Sequence, residues 1–405
     1  MKSKATRHID AEVRMLMDQY GVSYRTGFLA EDPLRVLPSF TDNTARDREF
    51  VLLDQSAYML TLDIAHKNVV RSVEQMKVPA WCYDELSEPI QYRLMLVYAM
   101  RTHAYFHELL GYRNIGELMQ DDRIKSLPPQ LAVPLWELSK ITGIAPSMSY
   151  CLYSLSNYFL KDPNKKIGLG NIDLIHSFTS TLDEKWFVWI HQVMECVFAP
   201  AIPALVKAYL LSMLPFEDIP SEVMTRCLTQ AARASAKTVD ILEQMRNHCD
   251  YHTYFDRVRL FYGFPRSVVF EGVDELNGEK QEVLGETGGH TPLQHSRLMV
   301  LGMDHEDIPY FPQMRKHMPA KFRNLIELMA CSRIREYVMW ARDRNNVKPA
   351  RPYNQLVWSV IAHRWEHLTL VKDYITTYGE THGTGKPPLD WLEILYERTK
   401  QYLIW

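Results

Sequence analysis

Apolar residues along this chain recur at spacings of three and four rather than two, the period of helices that each bury one face. The pattern predicts helices over residues 10–20, 47–76, 89–110, 131–141, 184–214, 221–254, 295–303, 321–345, 352–378 and 389–403. Pro220-Ser221-Glu222 reads as a helix entry with Ser221 as N-cap. The one strand-like run, S-V-V-F-E-G-V at 267–273, predicts a short extended segment or a small hairpin. Breakers cluster three times. The stretch 161–170, with Pro163, Gly168 and Gly170, reads as an interdomain linker. The stretches 277–290, with Gly278, Gly285, Gly288 and Gly289, and 378–388, with Gly379, Gly383 and Gly385, read as mobile loops. No repeat is visible. The expected fold is all-α with two helical domains: a small one with the linker over 1–175, and a larger C-terminal one over 176–405 that carries the site.

Composition supports helix. Gly is sparse at 17 of 405 residues, and the 46% hydrophobic content is ample for a large core. The net charge of −3 provides no field for nucleic acid or an anionic membrane, so neither is expected as a partner. Six cysteines, scattered and without a C-x-x-C pair, read as free thiols of a reducing cytoplasm. Residues 1–14 are charged and hold no apolar stretch, so no secretory leader is expected. The run 196–216 has one charge, Lys207, but also Pro200, Pro203 and Pro215; with no second such span, it reads as a buried core helix.

No phosphate loop, dinucleotide fingerprint, H-E-x-x-H or nucleophile elbow occurs. The most informative segment is A-H-R-W-E-H-L-T-L-V-K-D-Y-I at 362–375. Val360, Arg364, His367 and Val371 share one helical side, and His363 lies one turn before His367. An imidazole there suits a haem iron, and the neighbouring guanidinium a haem propionate. The ordinary alternative is a core histidine with a hydrogen-bond partner. The i, i+4 histidines could also chelate zinc, but Glu366 projects to another face and no third ligand is evident. His191, in W-F-V-W-I-H-Q-V-M-E, is either a core histidine or a polar group above a cofactor. Arg259, in Y-F-D-R-V-R-L-F-Y-G-F, is either a surface arginine or a two-point clamp for a carboxylate. Arg315, Lys316 and His317 read as a solvated helix end.

Several separated segments, in order, resemble the indoleamine 2,3-dioxygenases, haem enzymes that open the indole ring of tryptophan with O2. K-D-P-N-K at 161–165 and N-I-D-L-I-H-S-F at 171–178 are similar to that family's linker region. E-K-W-F-V-W-I-H-Q-V-M-E at 184–195 resembles its distal-side helix, and 254–264 the segment with its substrate-binding arginine. V-V-F-E-G-V and Gly288-Gly289 follow in order. M-R-K-H-M-P-A-K-F-R-N-L at 314–325 is the closest local match, and 363–375 resembles the proximal helix. The resemblance covers roughly residues 150–390.

The resemblance implies a b-type haem held by His367, with Arg364 on a propionate and Gly288 and Gly289 against the cofactor. It implies that Arg259 binds the substrate carboxylate, that Phe187, Tyr254 and Tyr150 line the indole pocket, and that Gly383-Thr384-Gly385 is a substrate-ordered loop. Two departures stand out. His191 falls where the animal enzymes carry a small hydroxyl residue, resembling the distal histidine of tryptophan 2,3-dioxygenases. Leu298 falls near the place of an acid that supports the propionate-side arginine. The expected partners are O2 and a small indole substrate, with a homo-oligomer open. Haem chemistry on another aromatic metabolite, a haem sensor without turnover, and a haem-free helical interaction module remain alternatives.

Overall fold

Every long periodic stretch forms helix, but local breaks cut several of them in two. The computed structural model describes residues 4–38, 45–79, 82–303, 308, 310–384 and 389–405. Their helices are α1 (Lys4–Gln19), α2 (Ala45–Ala65), α3 (Val69–Glu74), α4 (Glu88–Leu110), α5 (Ile115–Gln120), α6 (Pro129–Thr142), α7 (Leu182–Phe198) and α8 (Ala201–Ser212). The second half adds α9 (Ser221–Leu242), α10 (Tyr251–Thr253), α11 (Pro292–Val300), α12 (Tyr310–Arg315), α13 (Ala320–Met329), α14 (Ile334–Arg342), α15 (Ala350–Tyr374) and α16 (Trp391–Lys400). The fold is all-α. Four strands of two or three residues complete it: β1 (Lys125–Leu127), β2 (Phe159–Leu160), β3 (Ile172–Asp173) and β4 (Val268–Phe270).

The breaks have local causes. Lys67, at φ 52°, separates α2 from α3. The run 184–214 bends by 46° between α7 and α8, where Pro200 and Pro203 interrupt the ladder. No single described helix is long and apolar enough to cross a membrane; α7 and α8 together pass on length and composition, but most of their residues are buried. Ser221 does not cap α9. It lies just inside the helix after Pro220, and its hydroxyl accepts from Asn346 Nδ2 at 2.8 Å.

The expected strand at 267–273 forms, but β4 pairs in parallel with β1, far away in sequence, and only Val268 bridges to Gln281. The stretch 161–170 is the loop of a β2–β3 hairpin, closed by Lys161 N–H donating to Asn171 O at 2.9 Å. One buried apolar cluster runs from Ile9 to Ile404 and takes in residues of both halves of the chain. At its centre α9 packs against α7, α8 and α15. All six cysteines are free thiols.

His103 on α4 ties the first half to the segment that carries Arg259. Its Nδ1 lies 2.8 Å from Phe261 O, and its Nε2 accepts Met148 N–H at 3.1 Å, which assigns a neutral tautomer with both nitrogens satisfied. His103→Ala strands a buried carbonyl and a buried N–H, so chemical denaturation should register a loss of about 2–4 kcal/mol. The same burial lowers the His103 pKa to about 4 and that of His176, helped by Arg93, to about 2. The unfolded chain therefore takes up these protons first. Stability should fall as pH drops below about 6.5, by roughly 2 kcal/mol per histidine at pH 5. Urea melts at pH 7 and pH 5 check this; equal midpoints would contradict it.

Candidate functional site

A cavity of about 220 Å³ lies between α15 and α7, closed by the 254–262 segment, the glycine-rich loop before α11, and α16. From α15, His363, Arg364, His367, Leu370 and Val371 line it. His367 differs from His363 and Arg364, which are buried: its surface is exposed, and it lines the cavity. Burial, with His191 and Arg364 adding, lowers its pKa to about 4, so the imidazole is neutral at pH 7, the form that ligates a metal. His363 is buried, and its Nδ1 has no hydrogen-bond partner among the described residues. No group of three or more His, Cys, Asp or Glu side chains able to hold a metal ion occurs among the described residues, so this pair lacks a zinc site's third ligand.

The opposite wall is aromatic. Phe187 and His191 come from α7, and Tyr254 and Tyr262 pack around Phe187 at ring separations of 4.8 and 5.7 Å. His191 Nδ1 lies 2.7 Å from Phe187 O, which assigns the proton to Nδ1 and leaves Nε2 as an acceptor. Burial lowers the His191 pKa to about 4, so it too is neutral. Tyr150 does not line the cavity. It packs edge-on behind His191 at 5.7 Å, and its hydroxyl donates to His191 O at 3.4 Å.

Two five-residue segments with the wide i→i−5 turn flank this wall, Cys151–Leu155 and Tyr254–Val258. In the second, Arg259 N–H donates to Tyr254 O, which sets the phenol and the guanidinium that follows it on the cavity. Arg259 is 2% exposed. Its Nη1 pairs with Glu380 Oε2 at 3.3 Å, and its Nη2 donates to His382 O at 2.6 Å. Glu380 Oε1 in turn accepts Gly116 N–H at 2.9 Å. Thr384 lines the cavity and donates to Glu286 O; Gly385 lies outside the described residues.

Gly288 and Gly289 also line the cavity. A Cβ at Gly289 would meet Met314 Sδ at 2.6 Å, whereas one at Gly288 would meet only His191 Nε2, at 3.8 Å. His295 Nε2 donates to Gly289 O at 2.9 Å and holds the loop. His290 of this loop stacks on His317 at 4.2 Å. His317 and Arg315 are buried and only Lys316 is exposed, so two of the three residues expected at a solvated helix end point inward.

Arg364 lines the cavity, and its Nη1 donates to Leu395 O at 2.5 Å and to Thr399 Oγ1. Arg297, buried on α11, donates to Ser235 Oγ at 2.9 Å and to Gln294 Oε1. Burial lowers both guanidinium pKa values, and the charge of Arg364 adds to the shift of Arg297. Arg364 lines the cavity, whereas Arg297 lies buried behind it and adds positive charge nearby. Leu298 is a further lining residue. Sequence reasoning missed Arg297, Glu286 and Glu380. Glu286, in L-G-E-T-G-G, carries one faint signal: an acid inside a tight glycine loop.

The family model described as "Indoleamine 2,3-dioxygenase" matches residues 16–389. Indoleamine 2,3-dioxygenase 1 of Rattus norvegicus is 27% identical over 378 residues, covering 89% of this chain and 85% of its own. Indoleamine 2,3-dioxygenase 2 of Homo sapiens is 23% identical over 393 residues, covering 94% and 89%. The 6-hydroxytryptophan 2,3-dioxygenase of Fusarium equiseti is 25% identical over 259 residues, 62% of each chain. The likeness extends well before residue 150, into the part of the chain where the motifs were silent. The chain belongs to the indoleamine 2,3-dioxygenase family, haem-dependent oxidoreductases that act with O2 on tryptophan and related indoles.

Proposed function

We propose that this protein binds haem b through His367 and cleaves the C2–C3 bond of tryptophan, or a related indole amino acid, with O2 to an N-formylkynurenine-type product. The observation that carries the reading is the His367 imidazole, neutral and exposed to a cavity that also has an aromatic wall. The surrounding residues fit the group. Leu293, Leu298, Leu370 and Val371 offer apolar faces, the open side of Gly288 leaves room, and Arg364, with the charge of buried Arg297 near it, supplies positive charge for a propionate. The sequence has no C-x-x-C-H, so the attachment is non-covalent. Haem supplies the activation of O2.

The chain's own residues bind and orient the substrate. Arg259 pairs with its carboxylate, since the Glu380 and His382 contacts occupy only two of the five guanidinium donors. Phe187, Tyr254 and Tyr262 enclose the indole ring. The acceptor Nε2 of neutral His191 takes the indole N–H, fixing which ring edge faces the oxidant. Tyr150 buttresses that histidine from behind. Thr384 closes the carboxylate end through its bond to the Glu286 carbonyl.

The test is product analysis of the haem-loaded enzyme with L-tryptophan under air. N-formylkynurenine supports the reading; haem binding with tryptophan returned unchanged would move the function to another aromatic substrate or to sensing.

A further inference from the structure

One ionisable side chain of the cavity has no part in the proposed function. Glu286 is 3% exposed and lines the cavity. Its backbone is held firmly, N–H donating to Tyr262 O at 2.8 Å and C=O accepting from Thr384 Oγ1. Its carboxylate has no hydrogen-bond or ion-pair partner among the described residues. An acid so buried without a partner is costly, and burial alone raises its pKa to about 8. Apolar residues would line an indole pocket more cheaply, so the carboxylate calls for a cationic partner that arrives with the ligand.

Its position relative to Arg259 identifies that cation. One loop grips both residues: Glu380 and His382 hold Arg259, and Thr384 holds Glu286. The Tyr254 phenol senses both charges, Arg259 lowering its pKa and Glu286 raising it. Yet Arg259 forms its ion pair with Glu380 and not with Glu286. A buried cation and a buried acid thus line one cavity without pairing.

Building on the proposed function, we propose that Glu286 binds the substrate's α-ammonium group while Arg259 binds its carboxylate, so that the site selects zwitterionic amino acids. The glycine loop is then a specificity element as well as a cofactor wall.

The experiment titrates haem-loaded wild type and Glu286→Gln with L-tryptophan and with indole-3-propionate, which lacks the ammonium, reading the Soret shift. A charge-assisted bond of this kind corresponds to about tenfold to a hundredfold in dissociation constant. Tryptophan should weaken by that factor in E286Q, and indole-3-propionate should bind wild type and variant alike. Equal weakening of both ligands, or of neither, overturns the proposal. A wild type that responds to neither ligand overturns the indole amino-acid reading itself, and this proposal with it. Should E286Q fail to load haem, wild type alone decides: tryptamine must bind more tightly than 3-ethylindole, and equal affinity refutes the role.

Discussion

His367→Ala abolishes haem binding in reconstituted protein: no Soret band forms, and turnover is lost with it. Outer-shell partners of a metal ligand are commonly worth 10–100-fold in affinity, so loss of the axial ligand itself should exceed about 100-fold. The substitution hardly disturbs the fold. His367 projects into the cavity rather than into packed core, so the haem-free variant should melt within about 0.5 kcal/mol of the haem-free wild type. Only the stabilisation that bound haem adds to the folded state disappears. Free imidazole has room in the truncated cavity and should restore a Soret band. His363→Ala is the control. That residue is buried one turn away and retains no assigned bond to the cofactor, so haem loading should persist. A Soret band retained in H367A and lost in H363A would reverse the ligand assignment.

Arg259→Ala weakens tryptophan binding by about 100-fold to 1,000-fold while leaving haem content intact, because it removes one partner of a desolvated charge pair. It also has a structural cost that a simple binding-site residue would not show. Glu380, 6% exposed, loses its ion pair and keeps only the Gly116 N–H. An uncompensated buried carboxylate costs about 3 kcal/mol, so R259A should melt earlier. Adding Glu380→Gln removes that charge. The double variant should recover most of the stability and none of the affinity. Recovery of tryptophan binding in the double variant would show that Arg259 acts through loop order and not through the carboxylate. Loss of haem in R259A would contradict the division of roles between α15 and the 254–262 segment.

The helices were legible because burial of one face writes a period of three and four into each. Their ends were less so. The bend between α7 and α8 follows from prolines visible in the sequence, but the wide turn at Tyr254–Val258 has no local signature. It arises where Tyr254 and Arg259 must share a cavity wall, a demand of tertiary packing. The parallel pairing of β4 with β1 was invisible for the same reason, since its partner lies more than a hundred residues away. Within the site, His367 and Arg259 could be singled out because a polar residue on an apolar face contrasts with its neighbours. Tyr150, expected in the pocket only from the resemblance, lies close to the cavity but behind His191 instead of in the wall. Glu286, Glu380 and Arg297 escaped because their meaning lies in what surrounds them. An acid in a glycine loop looks solvated until the fold encloses it, and an arginine acquires its partners only when distant segments meet.

The most direct test of the account is the absorption spectrum of reduced, haem-reconstituted protein before and after L-tryptophan is added under air. A Soret band that shifts with tryptophan is expected, followed by the absorbance of N-formylkynurenine. No Soret band at all would contradict it, removing His367 as a haem ligand and every role that depends on it.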